Sequence, residues 1–237
     1  MRRFVQAFTE DTLPSSLPRE PMQRLTAGEG AYNIGKGDDA WIVLRHEDVP
    51  VARRSRWGLV PAWSKAPETR YTTVTARLER ASKSRIFGKP WKARHCVVPM
   101  SGYYKWDRAS KPPLPYFIHA VDGQVLFAAG LWEEWRSEDA SLHSFAILTH
   151  PNDAIPQPLT PDGPIFLTYR KSLDWLAGPT LFAESFLKSA RQPALAAYAV
   201  SSAHRDRSRD DYTLVEPRAA SEYLEPAAPA FDEDEDE

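Results

Sequence analysis

The part of this sequence best suited to chemistry with an anionic ligand is residues 53–94. Twelve lysines and arginines fall in this segment against two glutamates, which leaves a local charge of +10. Five aromatic side chains are interleaved with them: Trp57, Trp63, Tyr71, Phe87 and Trp91. Cations that follow phosphates and flat rings on which bases stack are what a groove for single-stranded nucleic acid requires. A basic face that only meets solvent is the alternative interpretation of the same composition.

Cys96 is the one cysteine in the chain. A single cysteine forms neither an internal disulfide nor a multi-cysteine zinc site. Cys96 opens the apolar run Cys96–Met100, so we expect a small buried hydrophobic side chain there rather than a catalytic thiol. The sequence predicts no metal and no cofactor.

Charge is distributed unevenly along the 237 residues. The net charge is −2, but the six residues 232–237 are all acidic, so the remainder sums to +4. From Pro217 onward the sequence turns to Ala, Pro and acid, which predicts a domain over 1–216 and a disordered tail over 217–237. The acidic run favours solubility; contact with a basic protein partner, or with the chain's own DNA channel, stays open as an alternative.

The coarse pattern of elements is mostly β. Strands are predicted at Ala40–Arg45, Cys96–Met100, Tyr116–Ala120, Val125–Leu131 and Ser144–Thr149, and helices at Leu78–Ser84, Lys171–Leu176 and Ala183–Ser189. Asp122-Gly123 is a hairpin signal between the third and fourth strands, and Ser172 is a candidate helix cap. No apolar run approaches the ~20 residues of a membrane span, and the first residues lack a signal-peptide core, so the expected location is the cytoplasm.

Short motifs spread over most of the chain resemble those of the SOS response-associated peptidase family. They are Arg3-Phe4, Tyr32-Asn33, Trp57–Trp63, Ala76-Arg77, Cys96–Pro99 with Gly102–Trp106, Ile147–Thr149, Asn152-Asp153 and Val200-Ser201, in the family's order. The resemblance implies a single α+β domain with a curved, largely antiparallel sheet or barrel-like core, flanked by helices, and a positively charged DNA channel.

The resemblance also implies a reaction. Family members shield abasic sites in single-stranded DNA: the amine and thiol of an N-terminal cysteine condense with the ring-opened sugar to give a thiazolidine. An asparagine, a glutamate and a histidine assist as orienting and acid–base groups. The same four residues are implicated in autoproteolytic release of the N-terminal residue.

All four of those residues are replaced in this sequence. Arg2 stands for the cysteine, Thr75 for the asparagine, Lys105 for the glutamate and Thr160 for the histidine. An alignment anchored on Asn152-Asp153 puts the histidine on Leu159 instead, and His150 nearby is the alternative imidazole. The resemblance therefore predicts a catalytically degenerate member, with any remaining peptidase-like or crosslinking activity left open.

The positions suited to binding DNA are better kept. They are Arg3, Asn33, Lys36, Trp63, Arg77, Arg85, Ile86 and Thr149, of which Lys36 takes the place of a proline of the family and adds a cation. For Trp57 and Trp106 core packing is the favoured interpretation.

Three hypotheses follow from these residues. The first is noncovalent binding of single-stranded or junction DNA in a DNA-damage (SOS) context. The second is an imine-forming or lyase enzyme that uses the Met1 amine or Lys105, since an amine alone forms a Schiff base with an aldehyde. The third is a protein-interaction module that has lost DNA binding.

Overall fold

Two β-sheets form the framework of the computed structural model, which describes residues 1–69, 71–178, 182–219 and 223–224. The first sheet has the strand order β14 (Tyr223–Leu224), β13 (Leu195–Ala199), β8 (Leu114–Ala120), β7 (Gly102–Asp107), β1 (Phe4–Gln6) and β2 (Ala31–Ile34). The second has the order β11 (Asp162–Pro164), β10 (Ser141–Pro151), β4 (Val49–Trp57), β3 (Asp39–His46), β6 (His95–Met100), β9 (Leu126–Arg136) and β12 (Phe166–Leu167), with β5 (Thr75–Arg77) beside β10.

The second sheet closes on itself. Strand β9 pairs with β10 as well as with β6, so β10, β4, β3, β6 and β9 form a five-stranded barrel. All of its pairings are antiparallel except that of β10 with β4. The α+β architecture with a largely antiparallel, barrel-like core is therefore confirmed.

Alternate residues along the barrel strands face two different apolar clusters, as the period of two of a β-strand requires. One face, which includes Ile42, Cys96 and Phe145, packs toward the first sheet through Phe4 and Tyr103. The opposite face packs against the helices. These are α1 (Arg19–Thr26), α2 (Leu78–Ala81), α3 (Gly88–Ala93), α4 (Tyr169–Leu176) and α5 (Ala183–Lys188).

The five predicted strands all exist, as β3, β6, β8, β9 and β10, and the predicted helices appear as α2, α4 and α5. Helices α1 and α3 were not predicted. Each contains a proline, and α3 begins at Gly88, and both proline and glycine disfavour a helix in isolation. Burial of Cys96 and Trp57 is confirmed, since both side chains have no solvent exposure. The Trp57 Nε1–H donates to the carbonyl of Val74 at 2.8 Å.

Two local predictions were wrong. Asp122-Gly123 does form a turn, with Gly123 at φ +71°, but the flanking strands do not pair. Strand β8 pairs with β7 and β13 in the first sheet, whereas β9 lies in the barrel. A turn signal fixes local dihedral angles and not strand partners, so here it marks the passage between sheets.

The second wrong prediction concerns the start of α4. Thr168 is the residue that caps this helix, with its hydroxyl accepting from the Lys171 N–H. Ser172 lies inside the helix, where its hydroxyl donates to the Thr168 carbonyl at 3.0 Å. Ser172 is buried, and the helix begins at Tyr169, two residues before the predicted start at Lys171.

Pairing of the first sheet continues beyond residue 216. Pro217 bridges to Val200, and β14 pairs with β13. The predicted disorder of the tail concerns mainly residues 220–222 and 225–237, which lie outside the described residues. In the part of the chain that is described, no helix combines the length and the apolar character needed to cross a membrane.

Candidate functional site

A cleft of about 760 Å³ opens where the first sheet meets one end of the barrel. Strand β7 forms one wall, and the loop entering β11 forms the other. The lining side chains are Met1, Arg2, Arg77, Tyr104, Lys105, Trp106, Arg108, Pro113, Thr160, Asp162 and Arg205. We call this site the cationic cleft, because five of these residues are lysine or arginine and one is acidic.

Strand β7 positions Lys105 at the floor of the cationic cleft. The backbone of Lys105 is paired with Tyr116 of β8, and its side chain is 8% exposed. The Lys105 ammonium donates to the main-chain carbonyl of Asp162 at 2.6 Å, which joins the two walls. Burial lowers the pKa of Lys105, and the Arg108 guanidinium lowers it further, whereas the Asp162 carboxylate raises it.

The amine of Met1 lies at the same floor. Burial lowers the pKa of this amine from 8.0 to about 6, and the charge of Lys105 is the next cause. Asp162 acts in the opposite direction. At neutral pH the Met1 amine is therefore mostly unprotonated beside a cation, which is the state in which an amine is nucleophilic.

Three of the four positions at which the resemblance predicts replaced catalytic residues come together in the cationic cleft. Arg2, Lys105 and Thr160 all line it. Thr75 is half-buried at the start of β5, two residues before Arg77, and is outside the lining. The fold thus gathers Arg2, Lys105 and Thr160 in one cleft and adds cations to it.

The two alternatives for the histidine position are separated by the structure. Leu159 is 4% exposed and belongs to the apolar core, whereas Thr160 is exposed to the cleft. The imidazole of His150 pairs with the Glu79 carboxylate through its Nδ1 at 2.5 Å, and His150 is absent from the cleft lining. An imidazole substitute from His150 has no support in this geometry.

Arg3 and Asn33 form a brace beside the cationic cleft. The Arg3 guanidinium donates to the Asn33 side-chain oxygen at 2.7 Å. The Asn33 amide donates to the carbonyls of Asp206 at 3.0 Å and Arg209 at 2.7 Å. Because Asn33 is only 6% exposed, its side chain holds the segment that carries Arg205. Thr149 is buried as well, with its backbone paired to Pro164 and Arg77.

The remaining predicted DNA positions lie outside the cleft lining. Trp63 is 50% exposed, and the Arg85 guanidinium stacks 4.7 Å from its ring centroid. Ile86 is half-buried next to this pair. Lys36 is exposed, with its ammonium 3.5 Å from the Tyr71 carbonyl. Trp63 and Arg85 together offer a flat, cationic surface on which a base can stack.

Sequence reasoning missed Arg108, Asp162 and Arg205 as cleft residues. Arg205 lies in the charged run His204–Asp211, a composition that could have indicated it. Arg108 directly follows β7 and Asp162 begins β11, so only the tertiary fold brings these two residues into one cleft. Trp106 is half-buried and forms part of the cleft wall, so it is not simply a core residue.

No three His, Cys, Asp or Glu side chains are grouped to hold a metal ion among the described residues. Cys96 lies in the barrel, apart from the cleft lining, and burial raises the pKa of its thiol well above the usual value. The cleft chemistry available from this chain is that of amines, guanidinium groups and one carboxylate.

Residues 2–205 match the family described as SOS response associated peptidase (SRAP). This match covers most of the chain, and the chain belongs to that family.

Characterised relatives agree with this membership. The chain is 26% identical over 192 residues to the abasic site processing protein YoqW of Bacillus subtilis, covering 78% of this chain and 85% of YoqW. It is 34% identical over 123 residues to an abasic site processing protein of Saccharomyces cerevisiae, covering 51% of this chain but 32% of the yeast protein.

Two solved structures share the fold. A protein from Bacteroides thetaiotaomicron matches with a TM-score of 0.73 and 19% identity, over 91% of this chain and all of that one. A protein from Bordetella bronchiseptica matches with a TM-score of 0.66 and 23% identity, over 85% of this chain and all of that one. At these identities the likeness concerns the fold alone.

Proposed function

We propose that this protein binds single-stranded or junction DNA noncovalently, in the context of DNA damage, with the strand passing through the cationic cleft. The observation that carries the proposal is the lining of that cleft, in which Arg2, Arg77, Lys105, Arg108 and Arg205 face a single acid, Asp162. Cations on opposing walls match a phosphate backbone that runs between them.

The position of Trp63 supports the same proposal. Its ring is half exposed at the surface with Arg85 stacked against it. Stacking of a base on an aromatic ring contributes about 1–3 kcal/mol and is tolerant of sequence. Trp63 would stack on a base of the same DNA strand whose phosphates contact Arg77. These two contacts together would give affinity that does not depend on the base sequence.

Formation of the family's thiazolidine is not part of this proposal. That ring needs a thiol next to the reacting amine, and Arg2 occupies the cysteine position. Cys96 is fully buried in the barrel and cannot replace it. The names of the relatives concern abasic sites, so an abasic nucleotide in single-stranded DNA is the substrate class to test first.

Fluorescence anisotropy tests the binding proposal. A labelled single-stranded oligonucleotide is titrated with protein over a salt series, with duplex DNA and dextran sulfate as competitors. We expect preference for the single strand and a log–log salt slope of about −0.7 for each phosphate contacted. Equal displacement by dextran sulfate and by single-stranded DNA would show nonspecific attraction to polyanions and end the proposal.

The pair of amines at the cleft floor favours a second function, the reversible capture of an aldehyde as an imine. The Met1 amine has a pKa lowered to about 6, and Lys105 beside it also has a lowered pKa. A neutral amine forms a C–N bond to the aldehyde carbon of a ring-opened abasic sugar. Both hydrogens of that amine then leave with the carbonyl oxygen as water, and a C=N bond results.

Borohydride trapping separates these two functions. The protein is incubated with an oligonucleotide that carries one abasic site, and with one that carries a tetrahydrofuran analogue lacking the aldehyde. Binding to both without a trapped adduct supports the noncovalent function alone. A trapped adduct on the natural abasic site, mapped by mass spectrometry to Met1 or Lys105, establishes imine formation.

The variant Lys105→Met is the control for the chemistry, with Lys105→Arg retaining the charge. If Lys105 is the nucleophile, both variants lose the adduct. If Lys105 instead keeps the Met1 amine neutral by its charge, the arginine variant retains most of the adduct and the methionine variant does not. An adduct that is unchanged in both variants and maps by mass spectrometry to neither Met1 nor Lys105 would place the reaction outside the cationic cleft and refute the second function.

A further inference from the structure

A cavity of about 300 Å³ lies between helix α1 and the hairpin that β3 and β4 form. Its lining includes Glu20, Arg24, Trp41, His46, Arg53 and Arg54. We call this cavity the arginine recess, because three guanidinium groups and one carboxylate line it. Arg53 and Arg54 open the basic segment 53–94, yet the recess and the cationic cleft have no lining residue in common among the described residues. The DNA-binding function therefore leaves these two arginines without a ligand.

Arg53 is held in place by an uncharged ring. Its Nη1 donates to the Nε2 of His143 at 2.6 Å. Because a guanidinium group only donates, this imidazole nitrogen carries no proton and the ring is neutral. Burial lowers the pKa of His143, and the charge of Arg53 lowers it further, whereas Glu134 raises it. The half-buried Arg53 guanidinium is thus oriented by a partner that does not cancel its charge.

Arg54 is oriented by an uncharged ring as well. Its guanidinium carbon lies 5.5 Å from the centroid of the Trp41 ring, which is a cation–π contact. Arg24, by contrast, is paired with Glu20 at 2.5 Å, and the other carboxylate oxygen of Glu20 accepts from the Ala52 N–H at 3.1 Å. The carboxylate of the recess is therefore already used by Arg24 and by the backbone. Arg53 and Arg54 keep their charge available to a ligand.

We propose that the arginine recess binds the dianionic phosphate group of a small molecule, at a site separate from the DNA strand in the cationic cleft. A phosphate monoester carries about two negative charges at neutral pH, which match the two available guanidinium charges. Planar guanidinium groups donate in pairs to phosphate oxygens, and those of Arg53 and Arg54 are fixed before the ligand arrives. A volume of about 300 Å³ suits a small ligand. The phosphodiesters of a DNA backbone carry one charge each and match the recess less well.

The indole N–H resonances of two tryptophans report on the two cavities separately in nuclear magnetic resonance spectra. Trp41 lines the arginine recess and Trp106 lines the cationic cleft, and the variants Trp41→Phe and Trp106→Phe assign their signals. Inorganic phosphate and deoxyadenosine monophosphate are each titrated at neutral pH and constant ionic strength, with sodium chloride as the reference. We expect a saturable shift of the Trp41 signal. No shift beyond that with chloride, for either probe, would overturn the proposal.

Substitution of the two available arginines should weaken phosphate binding at the Trp41 signal. Arg53→Gln and Arg54→Gln should each raise the apparent Kd at least about tenfold, because each removes charge-assisted hydrogen bonds. Arg53→Lys keeps the charge but not the planar fork, and should bind more tightly than Arg53→Gln. The matched control is Arg45→Gln, since Arg45 is exposed on β3, pairs with Asp48 at 2.7 Å and lies outside the recess lining. The control should stay within about twofold of the parent, and an equal loss there would overturn the site.

A single-stranded oligonucleotide without a terminal phosphate distinguishes this site from the DNA site. We expect the oligonucleotide to shift the Trp106 signal and to leave the Trp41 signal unchanged. A comparable shift of Trp41 would place the arginine recess on the path of the DNA strand and overturn a separate phosphate site. A Trp106 signal that does not respond to the oligonucleotide would count against the proposed DNA binding alone, so the two failures are read out separately.

Discussion

Two cavities of this protein differ in the kind of residue that lines them and in how well the sequence predicts them. They are the cationic cleft and an apolar pocket lined by Phe127, Phe166 and Tyr169. The cationic cleft gathers five cations from four separate segments of the chain, and its amines have lowered pKa values because burial and neighbouring charges act on them. The apolar pocket has a balanced pair of charges and walls made of core residues. Substitutions in the first should change ligand binding, whereas those around the second should change stability alone.

The position of Lys105 shows how a residue that departs from the family pattern is accommodated in the cationic cleft. A lysine at the position that the resemblance assigns to a glutamate makes the cleft floor cationic, and the ladder of β7 with β8 is intact. The strand pairing of β7 is therefore compatible with Lys105, although an ammonium group and a carboxylate have different chemistry. A polar residue that braces the cleft, such as Asn33, contributes both to the stability of the fold and to the shape of the cleft.

The largest effect is expected for charge reversal in the cationic cleft. The double variant Arg77→Glu with Arg205→Glu removes two of the cations proposed to contact phosphates, and should weaken single-stranded DNA binding about a hundredfold at low salt. The log–log salt slope should fall by about 1.4 in magnitude. Anisotropy titrations measure both. The control Arg170→Glu changes an exposed arginine of α4, outside the cationic cleft. An equally large loss of DNA affinity in that variant would refute the contrast between the cleft and the rest of the surface.

A smaller effect, on both stability and binding, is expected for Asn33→Ala. The substitution leaves the carbonyls of Asp206 and Arg209 without their donor, at a cost of about 1–3 kcal/mol in the free energy of unfolding. Urea unfolding measures this loss, and DNA affinity should fall as Arg205 loses its support. The variant Asn33→Asp keeps the acceptor for Arg3 but not the donor, so a fully stable Asn33→Asp protein would contradict the role of the brace.

Removal of the helix cap at the apolar end should lower stability without touching DNA binding. Thr168→Ala deletes the acceptor of the Lys171 N–H at the start of α4 and should cost about 1 kcal/mol. Thr168→Ser retains the hydroxyl and should behave like the parent in urea unfolding. A change of DNA affinity beyond twofold in Thr168→Ala would show that the two cavities are coupled.

The smallest effect expected is on the pH dependence of stability. His204 is fully buried, with its ring stacked on Tyr104 and its Nδ1–H donating to the Ser201 carbonyl. Burial lowers the pKa of His204, and the charges of Arg3 and Arg205 lower it further. The unfolded chain thus binds a proton more readily than the folded one, so stability is full above the unfolded pKa of about 6.5 and is lost as pH falls below it.

The variant His204→Phe keeps an aromatic ring at this position and removes the titration. Thermal or urea unfolding between pH 7 and pH 5 should show a shallower loss for His204→Phe than for the parent. His46→Phe replaces an exposed histidine and serves as the control. An unchanged pH profile in His204→Phe would show that the acid sensitivity arises at other groups, such as His95, whose pKa is also lowered by burial.

Much of the fold could be read from the sequence, because the apolar strands keep their period and turn residues separate them. Strands β3, β6, β8, β9 and β10 were predicted on that basis. Strand β4 was not, since it carries three arginines, of which Arg53 is held by the imidazole of His143 and Arg54 stacks on Trp41. Such pairings join residues far apart in sequence and leave no local signal.

By itself the sequence indicated the family, the burial of Cys96 and the basic, aromatic character of residues 53–94, and through the resemblance it predicts that the catalytic residues are replaced. Each of these depends on residue identity and order alone. Only the tertiary structure decided that Arg108, Arg205 and Asp162 join Lys105 and Met1 in one cleft, and that the turn at Gly123 separates two sheets. It also decided how the amines are protonated, because desolvation and the sum of nearby charges exist only once distant segments have packed together.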